Sequence, residues 1–229
     1  MKRNNLRSKW LDVKDLHGDH QVRFGQHLSY QFQNSPRRIL YMMSYYKFAS
    51  KMIGKGKKVL DVGCGEGLGT WLLACECGWA KGVDLDCDAV EIGKNNWKDQ
   101  NISFACSDFL STRQQPFDAV VSFDVVEHIN PDNMDCFWQK ISKSLARYGS
   151  VVIGTPNITA AQYASRIAKA GHVNLYSGER LENEMRQYFK HVFIFGANDE
   201  VVHTGFLPMA HYLIGVGCGK IIQEKKVNQ

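Results

Sequence analysis

Apolar residues in this chain gather in short runs separated by stretches of helical period. The runs 58–62, 80–84, 102–106, 117–123 and 150–154 are rich in Val, Ile, Phe and Ala. Runs of this length and composition read as buried strands. Between them, 68–77, 87–97 and 133–147 carry helical spacing. Regular alternation of buried strands and helices predicts an α/β fold with a mostly parallel sheet covered on both faces. Ligands of such sheets sit beyond the carboxyl ends of the strands. Upstream, Ile39, Met43, Tyr46 and Ile53 recur near helical spacing, Pro36 suits a first turn and Gly54 a stop, so a helix is predicted over 35–53. Its plain role is to cover the sheet; a lid or a membrane-touching face is the alternative use. After Pro156, helices are expected near 159–169 and 178–188, then strands at 190–195 and 211–218. Residues 196–210 are left as a long connection, expected to line an acceptor site or an oligomer contact.

The first strand runs into Asp61-Val62-Gly63-Cys64-Gly65-Glu66-Gly67-Leu68-Gly69-Thr70, with glycine at every second position of the loop. Glycine there permits positive φ and lets a ligand approach bare backbone. The spacing is not the dinucleotide fingerprint G-x-G-x-x-G, because Leu68 or Thr70 falls where the third glycine is needed. Asp61 at the strand tip would repel a diphosphate and attract an ammonium or sulfonium group. Asp84 ends the second strand in Gly82-Val83-Asp84-Leu85-Asp86, where a carboxylate can accept from both hydroxyls of a ribose.

Composition narrows the setting. The 229 residues suit one domain: a cap segment 1–54, a core 55–220 and a basic tail 221–229. No run is long and apolar enough to span a bilayer, and no secretory leader is read at the amino terminus. Seven cysteines without paired C-x-x-C spacing are expected to be small, mostly buried residues of a reducing cytoplasm. Much of the net charge of +5 lies at the two ends, which reads as solvated tails. No basic stripe interleaved with aromatics predicts nucleic-acid binding. Peripheral membrane contact and oligomeric state stay open.

From Gln33 to Lys220 the chain resembles the class I S-adenosylmethionine-dependent methyltransferases, on D-V-G-C-G-E-G followed by Asp84 and later motifs in order. The resemblance implies a seven-stranded Rossmann-like sheet closed by a hairpin whose last strand is antiparallel. It implies S-adenosylmethionine as the methyl donor, S-adenosylhomocysteine as product, and a donor site drawn from Asp61, Gly63, Cys64, Gly65, Gly67, Asp84 and Leu85. Asp108 would accept from the adenine amino group with Phe109 packed on the ring, while a turn-capping acid is the plainer use of Asp108. Phe123, Asp124 and Val125 would wall the donor.

In the same family the segment after 117–123 passes beneath the transferred methyl, so His128 would face a small-molecule acceptor as general base, with Glu127 orienting it. Asp124, Glu127 and His128 also stand at i, i+3, i+4, a spacing that would suit a divalent cation. Asn34-Ser35-Pro36-Arg37-Arg38-Ile39-Leu40-Tyr41 is similar to the N-P-L-R-L-x-Y helix start of the quinone-biosynthesis O-methyltransferases, with Ser35 and Arg37 departing from it. There the arginine matching Arg38 grips the donor's carboxylate. Gly171-His172-Val173-Asn174 also resembles that branch. The acceptor is thus expected to be methylated on oxygen, as a quinone precursor, sugar or carboxylate. A small amine, or donor binding without turnover, is the alternative. His17, His20 and His27 precede the covering helix and are further candidates for the acceptor pocket; His203 and His211 read as surface or capping residues.

Overall fold

The computed structural model describes residues 2–17, 21–98 and 101–221. The strands are β1 (Lys57–Val62), β2 (Gly78–Asp84), β3 (Ile102–Cys106), β4 (Phe117–Phe123), β5 (Leu145–Pro156), β6 (Phe189–Asn198), β7 (Val201–His203) and β8 (Tyr212–Lys220). The helices are α1 (Lys2–Leu16), α2 (Gln26–Asn34), α3 (Pro36–Ile53), α4 (Leu68–Cys77), α5 (Cys87–Asn96), α6 (Met134–Ser144), α7 (Arg166–Gly171) and α8 (Gly178–Arg186).

One sheet holds all these strands in the order β3-β2-β1-β4-β5-β8-β6-β7. The pairs from β3 to β5 are parallel, and β8 is antiparallel to both β5 and β6. The sheet has eight strands where seven were expected. The extra one is β7, which folds back on β6 through a turn at Asp199 and Glu200. The first part of 196–210 is therefore ladder, because β6 continues to Asn198 and pairs with 201–203.

Valines and other apolar residues bury both faces of the central strands; Val59, Leu60, Ala119, Val120, Val121, Val151, Val152 and Ile153 are fully buried. One apolar layer contains Phe137, Trp138, Ile141, Leu181 and Met185 from α6 and α8. The other contains Tyr45, Tyr46, Ala49 and Ile53 from α3 with Leu73 and Ala74 from α4. Helix α3 begins at Pro36 and stops at Gly54, whose φ of 84° suits a residue without Cβ. The strand order reverses direction at β1 and β4, which places a crevice over their carboxyl ends.

The cysteines depart from the expectation of a wholly reduced set. Cys87 and Cys106 are joined as a disulfide between the first residue of α5 and the last of β3. Cys77 is buried, as expected, and Cys64 is buried within the glycine loop, whereas Cys75 and Cys136 are exposed, against that expectation. Among the described residues no helix is long and apolar enough to cross a membrane. His20 and nearly all of the tail 221–229 lie outside the described residues.

Candidate active site

A cavity of about 990 Å³ opens over the carboxyl ends of β1, β2 and β4. Its walls are the glycine loop 63–69, Asp84 and Asp86 at the end of β2, Phe123, Asp124, Glu127 and His128 at the end of β4, residues of the segment 156–172, the start of β8, and α2 and α3 above. The volume is at the upper end for small-molecule sites, enough for a donor and a small acceptor side by side.

The glycine loop is held on the neighbouring strand. The amides of Gly63 and Cys64 both donate to the Val83 carbonyl, and the Gly65 amide donates to an Asp84 carboxylate oxygen at 2.7 Å. The other Asp84 oxygen accepts from the Asp86 amide at 2.9 Å. Asp86 then caps α5 through the amides of Asp88 and Ala89. Gly63 has φ 80°, and a methyl group there would come within 2.2 Å of Val125 Cγ2, so Val125 packs against the loop and not on the cavity wall. Gly65 has φ 51° and, its chain neighbours apart, no atom of the described residues within 4 Å of where its Cβ would be. Close approach of a ligand to bare backbone is open there.

Glu66, which sequence reasoning passed over, joins the loop to its roof. Its carboxylate accepts from the amides of Gly25 at 2.7 Å and Leu28 at 3.1 Å, at the entry to α2. A carboxylate suits the positive end of a helix and satisfies amides that have no partner within it. The signal was an acid inside a glycine loop that no ligand role required. Arg38, from the first turns of α3, lines the same cavity, as do Cys64, Gly67 and Phe123.

Three expected donor contacts stand elsewhere. Asp61 is fully buried beneath the loop, where it accepts from Thr70 Oγ1 at 2.6 Å and Tyr46 Oη at 3.1 Å. Burial raises its pKa to about 7 against the lowering effect of those two hydroxyls, and its contacts tie the strand tip to α3 and α4. Asp108 caps its own turn, accepting from the Leu110 amide and the Ser111 hydroxyl, which hold its carboxyl below the usual range. Phe109 points into the core, 6.0 Å from the Phe137 ring. None of the three lines the cavity. Leu85 also lies outside the cavity wall and is 71% exposed, leaving an apolar surface beside Asp84.

The segment after β4 brings the candidate chemistry together. Asp124 holds φ 55°, a left-handed conformation that costs a residue with Cβ roughly 1–2 kcal/mol, and its amide donates to the Gly154 carbonyl on β5. Such strain collects at functional sites. Residues 126–128 form one 3₁₀ turn, not the α-helical turn that the i, i+3, i+4 spacing required. Glu127 is buried; one oxygen accepts from Thr155 Oγ1 at 3.0 Å and the other finds no hydrogen-bond partner among the described residues. Burial and the facing Asp124 carboxylate push its pKa well up.

His128 Nδ1 lies 2.9 Å from the Gly171 carbonyl. A carbonyl only accepts, so Nδ1 carries the proton and, in the neutral ring, Nε2 keeps its lone pair. The Val173 and Asn174 amides donate to the Glu127 carbonyl, and Asn174 Nδ2 donates to the Val126 carbonyl at 3.1 Å, which clamps the turn from the far side.

The His172 ring meets His128 edge to face, with centroids 5.0 Å apart. Burial and His128 lower the His172 pKa. Ligand atoms of Glu127, His128 and His172 lie within 4.8 Å of one another, whereas Asp124, the third member of the expected set, is not in that group. His27 and His211 line the cavity; His17 does not, and His203 sits on β7 against Gly196. Aromatic rings complete the cavity wall: Tyr45 stacks on Tyr212 at 4.5 Å, and Tyr46 meets Phe123 edge-on at 4.9 Å. Tyr45, Tyr46 and Tyr212 carried no pattern in the sequence beyond helix and strand periodicity.

The chain as a whole is similar to known proteins. Residues 35–188 match the family described as Methyltransferase domain. The ubiquinone biosynthesis O-methyltransferase of Coxiella burnetii (strain RSA 493 / Nine Mile phase I) is 32% identical over 117 residues, 44% of this chain and 50% of that one. The mitochondrial ubiquinone biosynthesis O-methyltransferase of Dictyostelium discoideum is 31% identical over 163 residues, 61% of this chain and 50% of that one. The chain thus spans about half the length of these curated relatives. The N-methyltransferase NodS of Bradyrhizobium japonicum WM9, in complex with S-adenosyl-l-homocysteine, shares the fold with a TM-score of 0.57 at 18% identity, covering 82% of this chain and 87% of that one. On its family match and its fold, the chain belongs to the S-adenosylmethionine-dependent methyltransferases.

Proposed function

We propose that this chain moves the methyl group of S-adenosylmethionine to an oxygen of a small-molecule acceptor. Arg38 takes the donor's carboxylate, Gly63 to Gly67 carry its amino-acid and ribose portions on backbone, and Asp84 accepts from the ribose hydroxyls. Phe123 and Asp124 wall the reacting end. The acceptor lies among Tyr45, Tyr212 and the segment 156–172, where His128 removes the hydroxyl proton as oxygen attacks the methyl carbon. The observation that carries this reading is the Gly171 carbonyl on His128 Nδ1, which leaves Nε2 as the basic atom at the cavity wall. Holding two reactants in line contributes roughly 7–11 kcal/mol, and a positioned base a further factor of about 10² to 10⁴. Among acceptors, a quinone precursor is favoured over a sugar or a carboxylate by the similarity to the ubiquinone biosynthesis O-methyltransferases.

A second reading rests on Glu127, His128 and His172, whose oxygen and nitrogen donors fit a divalent cation. Such an ion would supply Lewis acidity that makes an acceptor hydroxyl easier to ionise. Transfer that survives exhaustive chelation assigns proton removal to His128; transfer lost on chelation and restored by magnesium or manganese assigns it to the ion.

The test is incubation with methyl-labelled donor and three acceptors, a catechol, a sugar acid and a primary amine, with products read by mass spectrometry. Label on the phenolic oxygen is expected. Label on the amine alone would overturn transfer to oxygen, and tight binding of S-adenosylhomocysteine without any turnover would mark a binding module.

A further inference from the structure

The cysteine pair lies at the nucleoside end of the crevice. Asp84 and Cys106 are register partners on β2 and β3, and the Ser107 amide donates to the Asp84 carbonyl at 2.8 Å. Three residues after Asp84, Cys87 opens α5, with its Cα 5.0 Å from that of Cys106, well inside the range a disulfide spans. The bond therefore fastens the turn 84–87, whose Asp84 and Asp86 line the cavity, to the end of the neighbouring strand. Both cysteines are exposed, so small thiols and disulfides reach them, whereas Cys64 and Cys77 are closed off. Without the bond the turn keeps the Gly65 and Asp86 amides on the Asp84 carboxylate, the Ser107 amide on its carbonyl and the Asp86 cap.

We propose that Cys87 and Cys106 are a reversible thiol–disulfide site that sets how firmly this turn is ordered, and thereby how tightly the donor's nucleoside is held. The inference rests on the methyltransferase reading only for the identity of that ligand. The oxidant is a low-molecular-weight disulfide such as glutathione disulfide. One cysteine thiolate attacks it, forming a mixed disulfide and releasing one glutathione thiolate. The second cysteine thiolate then attacks the protein-bound sulfur and releases the other glutathione, so two protein thiols are oxidised and one glutathione disulfide is reduced to two thiols. Exposed, readily exchanged pairs of this sort are the ones that sense redox state. In the linked form the turn is ordered before the ligand arrives, which improves affinity by removing part of the ordering cost.

The experiment equilibrates the full chain in glutathione buffers from fully reduced to fully oxidised. Differential alkylation with peptide mass mapping reads the thiols, and calorimetry with S-adenosylhomocysteine reads the site. Expected are a linked Cys87–Cys106 peptide pair in oxidising buffer and an affinity about two- to tenfold higher than in the reduced protein. Cys87→Ser and Cys106→Ser should each bind as the reduced protein does and ignore the buffer. Alkylation of both residues at every ratio would overturn the thiol site alone, and equal affinity of linked and reduced protein would overturn its control of binding. Linkage with no binding in either state would overturn that control together with the donor-site reading.

Discussion

Thr70 donates its hydroxyl to the Asp61 carboxylate at 2.6 Å, and the Tyr46 hydroxyl closes on the same group from α3. The acid that ends β1 is thus internal mortar between strand, loop-following helix and roof. Its raised pKa, about 7, means that the folded chain holds a proton there which the unfolded chain releases near pH 4. The stabilisation is full below pH 4 and is lost as the pH rises towards 7, at up to about 1.4 kcal/mol per pH unit. Asp61→Asn should remove this part of the slope. Urea unfolding of both proteins at several pH values from 4.5 to 7.5 measures it, and parallel curves would contradict the assignment.

Gly65→Ala separates folding from binding. The added methyl meets no atom of the described residues beyond its chain neighbours but must adopt φ 51°, so stability should fall by only about 1 kcal/mol. The same methyl occupies the space proposed for the donor. Affinity for S-adenosylhomocysteine should drop by at least about tenfold, about 1.4 kcal/mol, in calorimetry. Unchanged affinity would move the donor away from this loop.

His128→Ala tests the base. Methyl transfer should slow by about 10²- to 10⁴-fold while binding of S-adenosylhomocysteine stays close to that of the unaltered chain. Calorimetry alongside a turnover assay reads both, and matched losses would make His128 a structural residue.

Asn174→Ala attacks the clamp behind the base. It removes the side-chain donor from the Val126 carbonyl, which keeps the Ile129 amide at 3.3 Å, so the cost should be about 0.5–1.5 kcal/mol in thermal or urea unfolding. Turnover should fall with it because the 126–128 turn loosens. A stable variant with full turnover would show that the clamp is dispensable.

The sheet from β1 to β5, helix α3 and the glycine loop were legible because each was written locally: buried strands as β-rich runs, α3 as helical spacing between Pro36 and Gly54. What escaped was set by partners distant in sequence. The three residues of β7 acquire strand character only against β6. Helix α2 carries one buried residue, Leu28, and so left little periodicity to read. Asp61 and Phe109 have residue types that suit a ligand, and only the packing of Tyr46, Thr70 and Phe137 turns them inward. Cys87 and Cys106 are nineteen residues apart, and nothing in their spacing foretold that β2 and β3 would bring them together.

Because Glu66 shares its loop with Gly65, a ligand that shifts the loop also tugs on the amides of Gly25 and Leu28. The state of the crevice is thereby transmitted to the entry of α2. Deuterium uptake at those two amides would register occupancy from a distance, without any label on the donor.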